Sequence, residues 1–316
     1  MTHPRPAWLL HALAESSRWI DRAPPALHGR LARVQQRIAS GQGAGSIEGA
    51  LTARLAPPAF ALTEAYRVDL GLPDGPLLRA LGEGLIGLYL YLRIQDDVID
   101  EPSTFDPSHL YAAEIFAGAS AEGFARAVGD QPVFWSFRRA ALDELAAVSA
   151  WEIDAYRAID RAVAARLAEE HAAHLGSKLV PIAIPLAALA AATDRPRALA
   201  WIAPFARALG RALQIVNDLL NARDDHVAGR LTPSLAALYS GGRVAPDDEP
   251  HRVWPALASD PALDRMARAA ASHIEAAASL ASDAGAPTLA AAASDLHAIL
   301  PEIGPRLLKL TLGVRP

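Results

Sequence analysis

The sequence predicts an all-α fold, and three observations carry the prediction. Ala and Leu dominate a chain that is 52% hydrophobic, β-branched residues are sparse and aromatics are only 6%, so helix is favoured almost throughout. Apolar residues recur at three- and four-residue spacing over long stretches. No segment of useful length alternates apolar and polar residues as a half-buried strand would. Without an internal repeat or a long linker, residues 1–316 are expected to form a single helical-bundle domain.

Taken in order, helical periodicity appears at about 6–22 and 26–40, separated by Pro24 and Pro25. GQGAG at 41–45 reads as a joint, and Pro57–Pro58 interrupts the next segment. A long apolar run begins near Pro76 and closes with YLYLRIQDDVIDEP at 89–102. Pro102 disfavours helical geometry at Glu101, so this helix is expected to stop there. A shorter helix near 108–118, a Gly-containing connection and helices at about 132–160 and 161–175 follow. In HLGSKLVPIAIPLAALAAAT (174–193), Gly176, Pro181 and Pro185 predict a break in an otherwise buried element. Residues 196–228 read as one long helix ended by Gly229. Helices near 260–284 and 287–300, and a short one after Pro305, complete the chain.

Composition excludes several function classes. A net charge of -5 without a basic stripe argues against nucleic acid as a partner. The chain has no cysteine, which removes disulfides, thiolate metal sites and Cys nucleophiles. The opening MTHPRPAWLLHALAESS meets His11 and Glu15 too early for a signal-peptide core, so a cytoplasmic location is expected. The longest uncharged run, Leu179–Thr193, holds two prolines and falls short of the roughly 20 residues of a membrane span.

Two acidic clusters stand out. Asp96, Asp97 and Asp100 occupy the expected last turn of the helix from Pro76, where the dipole is negative and each acid costs about 0.3–1 kcal/mol. Asp96 and Asp100 also share a face and repel each other. Acids gathered there make sense if a hard divalent cation such as Mg2+ binds them. The second cluster lies in ALGRALQIVNDLLNARDDHVAGR. Gln214, Asn217, Asn221 and Asp225, at spacings of three, four and four, form a polar stripe on a helix otherwise rich in Leu, Ile and Val. A buried amide without a hydrogen bond costs roughly 1–3 kcal/mol, so such a stripe points to a shared ligand. Amide oxygens and a carboxylate one turn apart suit Mg2+, and Arg223 and Arg230 stand ready for an anion bridged by the metal. Either cluster alone is an ordinary solvated helix end. The two together, ending two long apolar helices, form a strong signal.

At these residues the chain resembles a class I isoprenoid synthase, an all-helical family that ionises prenyl diphosphates with Mg2+. LRIQDDVIDEP resembles the first aspartate motif of squalene and phytoene synthases, Arg93 included. The Gly210, Leu213 and Gln214 approach, Asn217 and the closing Gly229–Arg230 resemble their second motif. Where those enzymes carry an Arg-Asp pair this chain has Leu220–Asn221, and their D-x3-D becomes Asn221-x3-Asp225. In another register NDLLNARDD is similar to the Asn/Ser/Glu triad of terpene cyclases, with Asn221 in place of Ser/Thr and Asp225 in place of Glu. HLGSKL is also similar to the lysine-containing helix break of chain-elongating prenyltransferases.

The resemblance implies a bundle around a central apolar cavity and three Mg2+ ions with substrate bound. Its metal ligands would be Asp96, Asp97 and Asp100 in the first motif and Asn217, Asn221 and Asp225 in the second. The diphosphate of the prenyl substrate would meet Arg93, Lys178, Gln214, Arg223 and Arg230, and catalysis would rest on Asp96, Asp100, Asn217, Asn221 and Asp225. Tyr89, Phe134, Phe137, Tyr156, Trp201 and Phe205 are candidate linings for the cavity, although any one of them taken singly is more ordinarily a packed-core residue. His171 and His174, one turn apart, lack a third zinc ligand. The resemblance allows a homodimer. Three functions follow in order of preference: a terpene synthase acting on one prenyl diphosphate, a squalene/phytoene-type enzyme coupling two, and a non-catalytic helical binding module.

Overall fold

Six of the described helices open on a proline (Pro58, Pro76, Pro132, Pro233, Pro261 and Pro287). Its fixed φ suits the first helical turn, and its missing N–H has no intrahelical partner there to lose. The computed structural model describes residues 6–29, 31–32, 58–100, 107–155, 174 and 176–300. Among them all regular structure is helical: α1 (Ala7–Arg22), α2 (Pro58–Asp69), α3 (Pro76–Asp100), α4 (Ser108–Val128), α5 (Pro132–Ala155), α6 (Ala183–Ala192), α7 (Leu199–Val227), α8 (Pro233–Ser240), α9 (Val253–Ser259), α10 (Pro261–Asp283) and α11 (Pro287–Ser294). Short 3-10 turns fall at Val180–Ile182, Pro196–Ala198, Pro250–Arg252 and Asp295–Ile299. No described helix is long and apolar enough to cross a membrane.

The α-class expectation holds, and the boundaries of α1, α3, α7 and α10 fall close to the predicted ones. Agreements and differences alike have physical causes. The helix expected to end near 118 continues through Gly118 and Gly123 to Val128, because tight packing at Gly123 outweighs the roughly 1 kcal/mol that glycine costs in a helix. Pro204 sits inside α7 without ending it. Pro204 and Ala200, whose carbonyl its missing N–H leaves unserved, are both exposed, so water can complete that carbonyl. Helices α8 and α9, of 8 and 7 residues, were too short to register as a helical period. The predicted break is present, as turns at 176–179 and the 3-10 segment before α6. The predicted helix at 161–175, most of that at 26–40 and the one after Pro305 lie outside the described residues.

The chain's internal packing divides it into two units, Met1–Phe137 with Pro185–Arg197, and Arg138–Ile184 with Ala198–Pro316. In the first, α3 is the central strut. Its Leu81, Leu85, Ile86, Leu88 and Leu90 are buried, and α4 lies against it. Glycines set that approach: a Cβ on Gly123 would stand 2.3 Å from the Gly84 nitrogen, and one on Gly87 would stand 2.8 Å from the Phe116 carbonyl. Helix α1 covers another side of α3, where Trp8 fills the space over Gly82 and donates from Nε1 to Glu64 on α2 at 2.8 Å. Helix α6 is apolar on every side and buried along nearly its whole length. In the second unit α7 pairs with α10. Ile215, Leu219 and Ala222 share a core with Ala270 and Ile274, to which α8 and α9 add Leu235, Leu238, Trp254 and Leu257.

The glycine contact gives a direct test of how α3 and α4 are held. Gly123→Ala should cost about 3 kcal/mol, since the new methyl meets backbone atoms that cannot yield. Gly118→Ala, on the same helix but exposed and with open space around it, should instead gain about 0.5–1 kcal/mol. Denaturant midpoints of the two variants read both effects.

Candidate active site

The first motif closes α3. Leu90 and Ile94 anchor that end of the helix in the core, while Arg93 and Asp96 lie partly exposed. Arg93 Nη1 donates to Asp96 Oδ2 at 2.7 Å across one turn. The arginine thus offsets part of the cost of an acid at a helix C-terminus. Gln95 Nε2 donates to Tyr91 Oη at 2.6 Å beside it. The side chains of Asp97 and Asp100 lie outside the described residues.

The second motif closes α7, and the structure divides its polar stripe into two rows. Asn217 and Asn221 are exposed, and the Asn221 Nδ2 donates to Asn217 Oδ1 at 3.0 Å. Gln214 and Asp225 are buried, and with them Asp218, a residue the sequence reading passed over. Gln214 Nε2 donates to Asp218 Oδ1 at 2.8 Å. Burial pushes the Asp218 carboxyl up to about 8; the Gln214 hydrogen bond opposes this, the Asp225 charge adds to it, Lys178 opposes it and Glu152 adds to it. The helix then ends in a Schellman turn. Gly229 adopts φ +68°, its N–H reaches the His226 carbonyl at 3.1 Å, and the Arg230 N–H reaches the Asp225 carbonyl at 2.8 Å. The same turn brings Arg230 Nη1 to 3.6 Å from Asp225 Oδ1. The motif's closing Gly-Arg is therefore a backbone device that delivers a guanidinium to its last acid.

Neighbouring elements complete this end of α7. His226 Nε2 lies 2.7 Å from the Asp248 carbonyl, which can only accept, so this nitrogen carries the proton. Its Nδ1 lies 2.7 Å from Tyr239 Oη, which donates to it when the ring is neutral. Burial, with the Asp225 charge, pushes the Tyr239 hydroxyl up to about 12. Arg223 is exposed and its guanidinium lies 5.2 Å from the centre of the Trp254 ring.

The helix break lies against the same helix. A Cβ on Gly176 would stand 2.5 Å from the Arg207 carbonyl, and one on Gly210 would stand 2.8 Å from the Gly176 carbonyl, so only glycine fits on either side. Ser177 Oγ donates to Glu144 Oε1 at 2.6 Å, and Arg207 donates to both oxygens of that carboxylate at 2.8 and 2.7 Å. These bonds, the arginine's above all, hold Glu144 below the usual carboxylate range. Lys178 Nζ sits 3.1 Å from Glu152 Oε2 on α5. Of the ring candidates, Phe134 and Phe205 are fully buried. They pack on Phe124 and on Trp201, and Tyr89 is half-buried against Phe60. His174 stacks near Trp151, while Tyr156 and His171 lie outside the described residues.

Each of the five predicted anion-binding side chains thus has a protein neighbour. Arg93 meets Asp96, Lys178 meets Glu152, Gln214 meets Asp218, Arg223 faces Trp254 and Arg230 meets Asp225. Among the described residues no group of three or more His, Cys, Asp or Glu side chains is gathered as a metal cage. Asn217 and Asn221 present amide oxygens on the exposed side of α7, while the Asp225 carboxylate is buried beside Arg230; oxygen donors of both kinds are the chemistry Mg2+ takes. Asp218 left a trace in the sequence, as an acid four residues after Gln214 and seven before Asp225 on one helical face. Glu152 left none, because only the tertiary fold brings it to Lys178.

No protein-family model and no curated protein matches the sequence. Among solved structures the chain is similar to heptaprenyl diphosphate synthase from Staphylococcus aureus, with a TM-score of 0.56 at 13% identity over 88% of this chain and 98% of that one. At that identity the likeness shows the fold, and the fold is the all-α one of the isoprenoid synthases.

Asp218 provides a pH test. Its folded-state pKa lies above the ordinary 3.8, so the folded protein holds a proton that the unfolded chain releases. Stability of the metal-free protein should therefore fall as pH rises from about 4 to about 8, then level. Asp218→Asn keeps an oxygen for Gln214 and removes the ionisation. It should melt higher than the parent at pH 8, with the gap closing near pH 4 in thermal scans.

Proposed function

We propose that this chain is a class I isoprenoid synthase that ionises a prenyl diphosphate with Mg2+, releases diphosphate and forms a terpene product, residues 1–316 acting as one catalytic domain. The observation that carries the reading is the end of α7. Within an isoprenoid-synthase fold, Asn217, Asn221 and Asp225 stand one turn apart with Arg230 delivered to Asp225 by the helix cap. The name of the structural neighbour, a prenyl diphosphate synthase, supports prenyl diphosphates as the substrate class.

On this reading Asp96, Asp97 and Asp100 of the first motif and Asn217, Asn221 and Asp225 of the second hold the metal. Bound Mg2+ supplies charge stabilisation to the departing diphosphate. Arg93, Lys178, Gln214, Arg223 and Arg230 bind and orient that diphosphate. Arg93 and Arg230 already lie beside acids of the motifs. With those acids engaged as metal ligands, both guanidiniums would serve as anion ligands. Apolar side chains exclude water from the allylic cation, which would otherwise be quenched.

Cyclisation of a single substrate is preferred because of Asn221. Its amide pairs with Asn217, so two neutral side chains precede one acid, as in the cyclase triad. Prenyl coupling is the second reading, favoured by the Gly229–Arg230 closure that resembles the squalene and phytoene synthases.

Incubation with C10, C15 and C20 prenyl diphosphates plus Mg2+, with mass spectrometry of the extracts, tests the reading. Diphosphate release that chelation stops is expected, and no release from any substrate would overturn it. Asp96→Asn and Asp225→Asn should each lower turnover by about 100-fold while circular dichroism stays helical. Asn221→Ser should retain substantial activity in a cyclase and Asn221→Asp less. In a coupling enzyme that order reverses.

A further inference from the structure

Several hydroxyls of this chain settle on a carbonyl of the preceding turn, as those of Ser16, Thr63 and Thr193 do. Ser177 does not. From the break before α6 its Oγ donates at 2.6 Å to Glu144 Oε1, 33 positions away on α5. Arg207 of α7 donates to both oxygens of that carboxylate at 2.8 and 2.7 Å. The arginine first, and the serine after it, hold Glu144 below the usual carboxylate range, so the clasp is charged at neutral pH. The next residue is tied to the same helix: Lys178 Nζ lies 3.1 Å from Glu152 Oε2, about two turns along α5 from Glu144. Gly176, just before, rests on Gly210 and on the Arg207 carbonyl. Three successive residues of an irregular segment are thus each fixed by a separate contact. The flexible four-carbon stem of Lys178 is the part left to move.

We propose that Ser177 and Glu144 are positioning residues for the substrate diphosphate: the Ser177–Glu144–Arg207 clasp fixes the break so that the Lys178 ammonium passes from Glu152 to the diphosphate without movement of the backbone. The inference rests on the proposed reading of Lys178 as a diphosphate ligand. A carboxylate and a phosphate are both partners an ammonium takes, and exchanging one for the other needs only rotation about side-chain bonds. A backbone fixed beforehand spares binding the cost of ordering that segment, whereas a loosened one lets the charge stand off from its target. A clasp that served packing alone would lower the melting temperature when broken. Its effect on diphosphate binding would then not depend on whether Lys178 is present.

The test is a double-mutant cycle on the full chain, read by calorimetric titration with inorganic diphosphate in the presence of Mg2+, so that turnover is not the readout. Ser177→Ala should weaken diphosphate binding by about three- to tenfold, and Ser177→Thr, which keeps the hydroxyl, should stay near the parent. Lys178→Gln should weaken binding by more than Ser177→Ala does, and adding Ser177→Ala to it should bring no further loss. Should Ser177→Ala fold poorly, Glu144→Gln, which keeps the shape of the side chain but not its charge, carries the same comparison with and without Lys178. Parent-like binding by Ser177→Ala, a loss that Ser177→Thr shares, or an equal loss in the presence and absence of Lys178 would overturn the proposal. Binding that is lost in Asp225→Asn yet indifferent to Ser177 and Lys178 overturns this inference while leaving the proposed function standing. An absence of diphosphate binding by the parent removes both.

Discussion

The second unit depends on the contact between Gly176 and Gly210. Two backbones meet there at a distance no side chain could share, and the contact turns a break in the chain into a fixed element. From it follow the Ser177–Glu144–Arg207 bonds and the inward placement of Lys178. Gln214 lies just beyond that contact and is buried. Asn217 and Asn221, further along, remain exposed. The first unit uses the same device, Gly84 against Gly123, to bring α4 onto α3. In both units glycine is placed for close approach, where its cost to helix propensity is outweighed by packing.

Electrostatics at both motifs share one logic. Acids stand at helix C-termini, where the backbone dipole disfavours them. In each case an arginine answers from the same sequence block, Arg93 one turn before Asp96 and Arg230 just past the cap beyond Asp225. Such pairs moderate the repulsion without removing it. Each leaves a guanidinium beside an acid at the end of its helix. Asp218 differs, being withdrawn from water and shifted toward its neutral form. It belongs to the buried side of α7, where it accepts from Gln214.

How much was legible in the sequence varied with the kind of signal. Long amphipathic periods gave α1, α3, α7 and α10, and Gly176, Pro181 and Pro185 gave the break, because helix periodicity and proline geometry are local properties. Proline misled where it opens a helix: Pro58 read as interruption but stands at a first-turn position. Gly118 and Gly123 suggested an end to α4 that packing on α3 overrides. The spacing of Asp96, Asn217, Asn221 and Asp225 was visible because all lie within single helices.

The sequence by itself therefore determined the α class, the register of both acidic motifs and the position of the break, since each depends on neighbours within a few residues. Only the tertiary structure decided which face of α7 is buried, and so that Asp218 joins Gln214 and Asp225 while Asn217 and Asn221 stay in water. It alone paired Lys178 with Glu152, 26 positions apart in sequence. Burial and long-range charge pairing are properties of what packs against a helix, and no local pattern along the helix encodes its partner.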